Sequence, residues 1–287
     1  MSRKIHVVTT DKTNYPDLHS ENLSMVHSLK KYGFEVLLTN WHEIYEQLIE
    51  QTVFDDVLLI RTVWDYPDYF DKFRHFLNLV RERRITTVNP LEIIEWNINK
   101  QYLFDLQRAG IPIVPCEFFP AGCIVPEREN KSVVKPVVGL GASGAQILEL
   151  GESISVKVDS IVNPFRKSIH DGELSVIMVS GNPELFIRKT PSQSDWRVQP
   201  QYGGKYTFAN DAPEAAVNVC RKLFRYIQNR FQSNYLLFMR VDLLQTDING
   251  EWEVLEFEAI DPSLYGSVST KAIDALSWSL SKLIAND

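Results

Sequence analysis

The chain has 287 residues, 44% hydrophobic and 23% charged, with a net charge of −7. These proportions suit a globular protein with room for two or three subdomains, and the acidic balance argues against a general nucleic-acid binder, whose footprint would be basic. Three cysteines without a CxxC pair argue against a disulfide framework; six histidines without HExxH spacing, against a zinc hydrolase; and no apolar run reaches the length of a membrane span. The start, Ser2-Arg3-Lys4-Ile5-His6-Val7-Val8-Thr9, lacks the apolar stretch of a secretory signal, so a cytoplasmic location is expected.

In chain order, residues 5–9 predict a strand and 23–32 a helix closed by Gly33. Short apolar runs at 34–38 and 57–61 predict strands. Residues 69–83 predict a helix, with Phe70, Phe73, Phe76, Leu77 and Val80 at core spacing. A strand at 85–88 ends at Asn89-Pro90. This alternation predicts an α/β domain with a largely parallel sheet over residues 1–92. A helix over 99–109 stops at Gly110. Strands follow at 132–135, 145–150, 174–179 and 185–189, the last two joined by Ser180-Gly181-Asn182. Residues 93–190 and 191–287 are thus expected to form two α+β subdomains. A Pro/Ser/Gln/Gly-rich passage at 190–204 leads to an amphipathic helix at 214–230, with Val217, Cys220, Phe224 and Ile227 inward. A helix at 271–284 closes the chain.

The densest chemistry lies in two late runs, Leu236-Leu237-Phe238-Met239-Arg240-Val241-Asp242-Leu243 and Glu253-Val254-Leu255-Glu256-Phe257-Glu258. Asp247-Ile248-Asn249-Gly250 between them is a turn signal. A hairpin centred near Asn249 sets Asp242 opposite Glu256 and Arg240 opposite Glu258, all on one face. Val241, Leu243, Leu255 and Phe257 then face a core. Like charges across a ladder are destabilising, and divalent cations would relieve them; a solvated charged face is the plainer alternative.

A second cluster is Lys135-Pro136-Val137-Val138-Gly139-Leu140-Gly141-Ala142-Ser143-Gly144. Gly139, Gly141 and Gly144 match GxGxxG, but a strand pattern follows them where a dinucleotide fold needs a helix, and no Gly-Lys-Ser/Thr ends a P-loop. What remains is a glycine turn between strands. It could cover phosphates, with Lys135 as a point charge, or be a plain hairpin tip. Lys100 at a helix start is a second candidate cation. Glu173 in Gly172-Glu173-Leu174-Ser175 could accept from ribose hydroxyls, or be solvated. Arg61, Trp64, Asp65 and Tyr66 follow a strand at the end where open α/β sheets bind ligands. Arg61 could clamp a carboxylate and Asp65 an amino group, or Trp64 and Tyr66 could simply pack against the next domain.

The order of these parts resembles the ATP-grasp superfamily, in particular ligases of the D-alanine–D-alanine ligase, glutathione synthetase and cycloserine-forming cyclo-ligase type. The segments Arg61-Thr62-Val63-Trp64-Asp65-Tyr66, Trp96-Asn97-Ile98-Asn99-Lys100-Gln101-Tyr102-Leu103 and Arg197-Val198-Gln199-Pro200-Gln201-Tyr202-Gly203-Gly204 look like the cyclo-ligase branch. The resemblance implies an ATP-grasp fold in which the two α+β subdomains clasp ATP. It implies that Lys100 and Lys135 hold the α/β-phosphates, that Gly139, Gly141, Ser143 and Gly144 form the loop over the β/γ end, and that Glu173 binds ribose. Asp242, Glu256 and Glu258 would hold two Mg²⁺ ions, with Mn²⁺ an alternative. Arg240 would steady the transferred phosphoryl group or the oxyanion of the acyl phosphate intermediate, and Arg197 would contact substrate or phosphate. The implied activity is ligation of a small, amino-acid-like carboxylate to an amine or related nucleophile through an acyl phosphate; no nucleic-acid or membrane partner is expected, and many relatives dimerise, which leaves a homodimer open. Two departures stand out. The last metal position is commonly Asn in the family and is Glu258 here. The passage Asn163-Pro164-Phe165-Arg166-Lys167-Ser168 lacks the acidic residue that often precedes the adenine-binding backbone. The competing readings are an ATP-dependent kinase on the same scaffold, a non-catalytic nucleotide- or metal-binding module, and, last, a nicotinamide oxidoreductase.

Overall fold

Strands buried on both faces must lie inside a layered α/β unit. In the computed structural model, which describes residues 4–10, 16–50, 56–233 and 235–284, β1 (Ile5–Thr9) is such a strand, buried along its whole length. It pairs in parallel with β2 (Val36–Asn40) and β3 (Val57–Thr62). With β4 (Thr87–Val88) the order is β2-β1-β3-β4. Ser2 and Arg3 of the start lie outside the described residues.

Helices α1 (Pro16–Lys30), α2 (Trp41–Ile49) and α3 (Phe70–Glu82) make the crossovers. Helix α1 begins earlier than its apolar spacing predicts. Helix α2 was not expected, although its signal is present: Asn40 caps it by accepting from the His42 amide, and Trp41, Ile44 and Leu48 form its buried stripe. The helix expected at 99–109 is shorter, α5 (Tyr102–Arg108), and α4 (Leu91–Asn97) precedes it.

Two antiparallel sheets follow. The smaller runs β5 (Glu117–Phe119), β10 (Ser160–Pro164), β7 (Ser132–Pro136), β8 (Gln146–Leu148), with β6 (Ile124–Val125) and β9 (Ile154–Ser155) paired separately. The larger has the order β13-β12-β11-β14-β15, from β11 (Glu173–Val179), β12 (Asn182–Thr190), β13 (Lys205–Ala209), β14 (Phe238–Gln245) and β15 (Trp252–Glu258). A division drawn at residue 190 therefore passes between β12 and β13, neighbours in one sheet.

Helix α6 (Glu214–Phe231) covers one face of the larger sheet, and Val217, Cys220, Phe224 and Ile227 pack with Val241 and Phe257. Helix α7 (Lys271–Ile284) covers the other face and meets α1, joining Ile273, Leu276 and Leu280 to Ile177, Ile187 and the first sheet's Ile5. Among the described residues, no helix is long and apolar enough to cross a membrane.

Three buried side chains tie the first half of the chain to the end of the late hairpin. Asn89 Nδ2 donates to the carbonyls of Phe238 and Ala259, and its Oδ1 accepts from the Leu237 and Phe238 amides. Asn97 bridges the Phe257 carbonyl and the Ala259 amide. The Tyr102 hydroxyl donates to the Phe257 carbonyl and accepts from its amide. Replacing Asn89 by leucine strands buried backbone groups, so Asn89→Leu is expected to cost about 3 kcal/mol in urea unfolding. A variant as stable as the parent would show that Asn89 is not a structural tie.

Candidate active site

The late hairpin pairs as its turn predicts: Arg240 faces Glu258, Val241 faces Phe257 and Asp242 faces Glu256. The register then slips, and Leu243 pairs with Val254. The extra residue is Leu255. A bulge puts two consecutive side chains on the same side of a strand, so Leu255 lines a cavity beside Glu256 and Val254 takes the core position expected of Leu255. That expectation is corrected: simple alternation fails across a bulge.

The cavity has a volume of about 730 Å³. Arg240, Asp242, Glu256 and Glu258 share its lining with Lys100, Lys135, Glu173, Arg197 and Trp64, and with Gly139, Gly141 and Ser143 of the turn between β7 and β8. Gly144 is not in the lining. It closes the turn at φ +71°, where an added Cβ would stand 2.9 Å from the Pro136 ring.

Three cations serve the four carboxylates of the cavity, Arg240 and Lys189 each pairing with two. Arg240 donates Nε to Asp242 Oδ1 at 3.0 Å and one terminal nitrogen to Asp242 Oδ2 at 2.9 Å and Glu258 Oε1 at 2.6 Å. Lys189 Nζ lies 2.7 Å from Glu173 Oε1 and 3.1 Å from Asp242 Oδ1. Lys100 Nζ lies 3.1 Å from Glu256 Oε1 and donates to the Gly139 carbonyl at 2.6 Å. It thus joins the hairpin to the glycine turn.

Burial works against the Asp242 charge, but Arg240 and Lys189 outweigh it and hold the carboxyl well below the usual carboxylate range. Burial likewise opposes Glu256, and Lys100 and Lys135 bring its pKa below the ordinary value. For Glu258 burial prevails over Arg240, with Glu256 and Asp242 adding to the rise. Burial lowers the Lys135 pKa, only partly countered by Glu256.

Among the described residues, no three His, Cys, Asp or Glu side chains stand together as a ready metal cage. The donor chemistry still suits a hard divalent cation, since Asp242, Glu256 and Glu258 bring carboxylate oxygens to one cavity. Such an ion would compete with Lys100 and Arg240 for them.

The substrate-side expectations fare differently. Trp64 lines the cavity and donates Nε1 to the Asp261 carbonyl at 3.1 Å. Arg61 does not line it. It is fully buried, bonded to Glu21 Oε1 at 2.7 Å and the Pro262 carbonyl at 2.9 Å, and lies over the Phe238 ring. Asp65 is also outside the lining and accepts from Trp41 Nε1 at 2.7 Å and His42 Nε2 at 2.9 Å, anchoring α2. The expected clamping of a substrate by Arg61 and Asp65 is not what the structure shows: Arg61 is buried against Glu21 and the Pro262 carbonyl, Asp65 is bonded to Trp41 and His42, and neither lines the cavity. Tyr66 stacks on Phe73 of α3 within the first domain, and not on the next domain. Arg197 pairs with Asp195 through Nε at 3.0 Å and a terminal nitrogen at 2.7 Å, and stacks on Tyr202. Its loop is tight: a Cβ on Gly204 would run into the Val198 carbonyl oxygen.

Lys189 is a charged lining residue that sequence reasoning missed. The hairpin turn alone does not give it: Val179 pairs with Asn182, which would set Glu173 opposite Arg188, and a register shift past Ile177 brings Lys189 there instead. Burial and Arg240 work against its charge, yet Asp242 and Glu173 outweigh them and hold its pKa well above the lysine value.

No curated protein matches the chain. Residues 5–89 match the family described as D-cycloserine synthetase DcsG, N-terminal domain. The crystal structure of the D-cycloserine synthetase DcsG superposes with a TM-score of 0.79 at 19% identity, covering 98% of this chain and 99% of that one. D-alanine–D-alanine ligase from Bacillus anthracis, complexed with ATP, gives 0.66 at 14% identity over 98% and 99%. The ATP-grasp ligase PsnB, complexed with its minimal precursor, gives 0.62 at 14% identity over 100% and 99%. At these identities the likeness is one of fold.

The pairing of Lys189 makes a stability prediction with a definite sign. A raised lysine pKa stabilises fully below the unfolded value of about 10.4 and loses that contribution only as pH rises through the folded value, so it counts in full at pH 7. Lys189→Met is expected to cost about 3 kcal/mol there, as for other broken buried pairs. Burial already raises the Glu173 pKa and Lys189 works against that rise, so in the variant Glu173 takes up a proton more readily and the gap should narrow as pH falls from neutral into the acid range. Urea midpoints of both proteins across this range test it; a loss that does not change with pH would contradict the assignment.

Proposed function

The chain has the fold of the ATP-grasp ligases, and on that footing we propose that it is an ATP- and Mg²⁺-dependent ligase joining a small, amino-acid-like carboxylate to an amine through an acyl phosphate. The observation that carries this reading is the convergence of Arg240, Asp242, Glu256 and Glu258 with Lys100, Lys135 and the glycine turn around one cavity. Further support comes from the ATP bound to the Bacillus anthracis ligase and the Mg and ADP in a PsnB complex.

Lys100 and Lys135 would contact the α/β-phosphates, and the backbone at Gly139, Gly141 and Ser143 would lie over the β/γ end. Glu173 would meet ribose through whichever oxygen Lys189 leaves free. Asp242, Glu256 and Glu258 would hold Mg²⁺, two ions being the expected complement. When bound, Mg²⁺ supplies charge neutralisation at the phosphate oxygens.

The chain's own part is positioning and charge. A substrate carboxylate oxygen attacks the γ-phosphorus, the bond to the β–γ bridging oxygen breaks, and ADP leaves. The amine then attacks the acyl carbon, the bond to the phosphate oxygen breaks, and the amine gives up a proton. Arg240, already oriented by Asp242 and Glu258, would face the negative charge that develops on the phosphoryl oxygens and on the tetrahedral oxyanion. Arg197 would add a second guanidinium from the neighbouring loop.

Removing one such contact is expected to cost about 3 kcal/mol of barrier, roughly a hundredfold in rate. Asp242→Asn, Glu256→Gln and Arg240→Ala should therefore lose amino-acid-stimulated phosphate release from Mg-ATP while keeping their circular dichroism. The assay is run across a panel of amino acids, with mass analysis of products. Parent-level turnover in these variants would refute the site, and a phosphorylated product without free phosphate would point to a kinase.

A further inference from the structure

Glu21 is a buried carboxylate outside the cavity. It stands on α1 of the first domain and is 4% exposed. Burying a carboxylate is costly unless its oxygens meet donors. Glu21 meets four. Its Oε1 accepts from an Arg61 terminal nitrogen at 2.7 Å and the Leu264 amide at 2.9 Å. Its Oε2 accepts from the Ser263 hydroxyl and the Gly266 amide, both at 3.1 Å. Three of these donors belong to one turn near the other end of the chain.

That turn is pressed onto α1. A Cβ added at Gly266 would stand 3.2 Å from Glu21 Cγ and 2.8 Å from Ile273 Cδ1. The Pro262 carbonyl accepts from the same Arg61 nitrogen at 2.9 Å, and the Tyr265 amide donates to the Ser263 oxygen at 3.1 Å. Tyr265 is thus gripped on both sides. Its ring lies in the cavity wall, 5.9 Å from the Arg240 guanidinium carbon and 6.0 Å from Lys189 Nζ, with Tyr206 edge-on at 5.5 Å. A cation over an aromatic face is attracted to it, more strongly where water is excluded. Asp242 and Glu258 fix the guanidinium of Arg240 through its N–H edge; the Tyr265 ring meets its face.

We infer that Glu21 is a positioning residue of the active site: by holding the turn at 262–266 it sets the Tyr265 ring, and through the ring the place of Arg240 and Lys189 beside Asp242. The inference rests on the ligase reading above and adds to it a first-domain residue that touches neither nucleotide nor reacting groups. Lys100 and Lys135 reach the cavity from other segments, so the effect falls on turnover rather than on nucleotide binding.

The test is run on the full chain. It measures phosphate release from Mg-ATP with the most stimulating amino acid of the panel, beside calorimetric affinity and stoichiometry for Mg-ATP. Glu21→Gln keeps the size of the side chain but turns N–H donors towards groups that themselves donate. It is expected to lower kcat per binding-competent molecule by about tenfold to a hundredfold, the scale of a misplaced catalytic group. The Kd for Mg-ATP should stay at the parent value. Tyr265→Leu should lose a similar amount, and the double variant no more than the larger single loss, because both act on the same two cations. If Glu21 only supports folding, the stoichiometry falls while kcat per site stays at the parent value. If it acts apart from Tyr265, the two losses multiply. If Kd rises as far as kcat falls, Glu21 shapes the cavity at large. Each of these results overturns the inference. Should Glu21→Gln fail to fold, Tyr265→Leu decides: parent kcat there overturns the inference and leaves the ligase reading intact. No turnover by the parent overturns both.

Discussion

The charge balance on the inner face of β14 and β15 governs this molecule. Like charges buried together repel strongly because the interior screens them poorly. Here Asp242, Glu256 and Glu258 are brought to one cavity wall, and the cations that make this tolerable come from three places in the chain: Lys100 just before α5, Lys189 on β12, and Arg240 on β14 itself. No segment alone could carry the site. The buried ties from Asn89, Asn97 and Tyr102 to residues 237–259 keep the contributing segments in register with the hairpin.

The same β15 serves two sides of the fold. Its core-facing residues, Val254 and Phe257, pack under α6, and its bulge turns Leu255 and Glu256 together into the cavity. One inserted residue therefore places an apolar contact next to a carboxylate.

The first domain shapes the site at one remove. Glu21 accepts from Arg61, the Ser263 hydroxyl and the amides of Leu264 and Gly266, which closes residues 263–266 around a single carboxylate. Within that turn Tyr265 is held at φ +54°, an unfavourable conformation for a bulky residue that persists only where the surroundings over-determine it. Ser263, Tyr265 and Ser267 line the cavity from this turn. Arg61 thus acts on the cavity by bracing its wall, not by reaching into it.

By itself, the amino-acid sequence determined the alternating α/β start, the pairing of Asp242 with Glu256 and Arg240 with Glu258, and the glycine turn after Lys135, because periodicity and turn chemistry are local. Lys189 was not legible in that way, because the turn pairing of Val179 with Asn182 points to Arg188 and only a register shift further along sets Lys189 opposite Glu173. Only the tertiary structure decided that Arg61 and Asp65 are braces and that Leu255 leaves the core. Those outcomes depend on residues distant in the chain: Glu21 and Pro262 beside Arg61, and Trp41 and His42 beside Asp65. A side chain's type says what it can bond to; which partner it bonds to depends on what the fold places beside it.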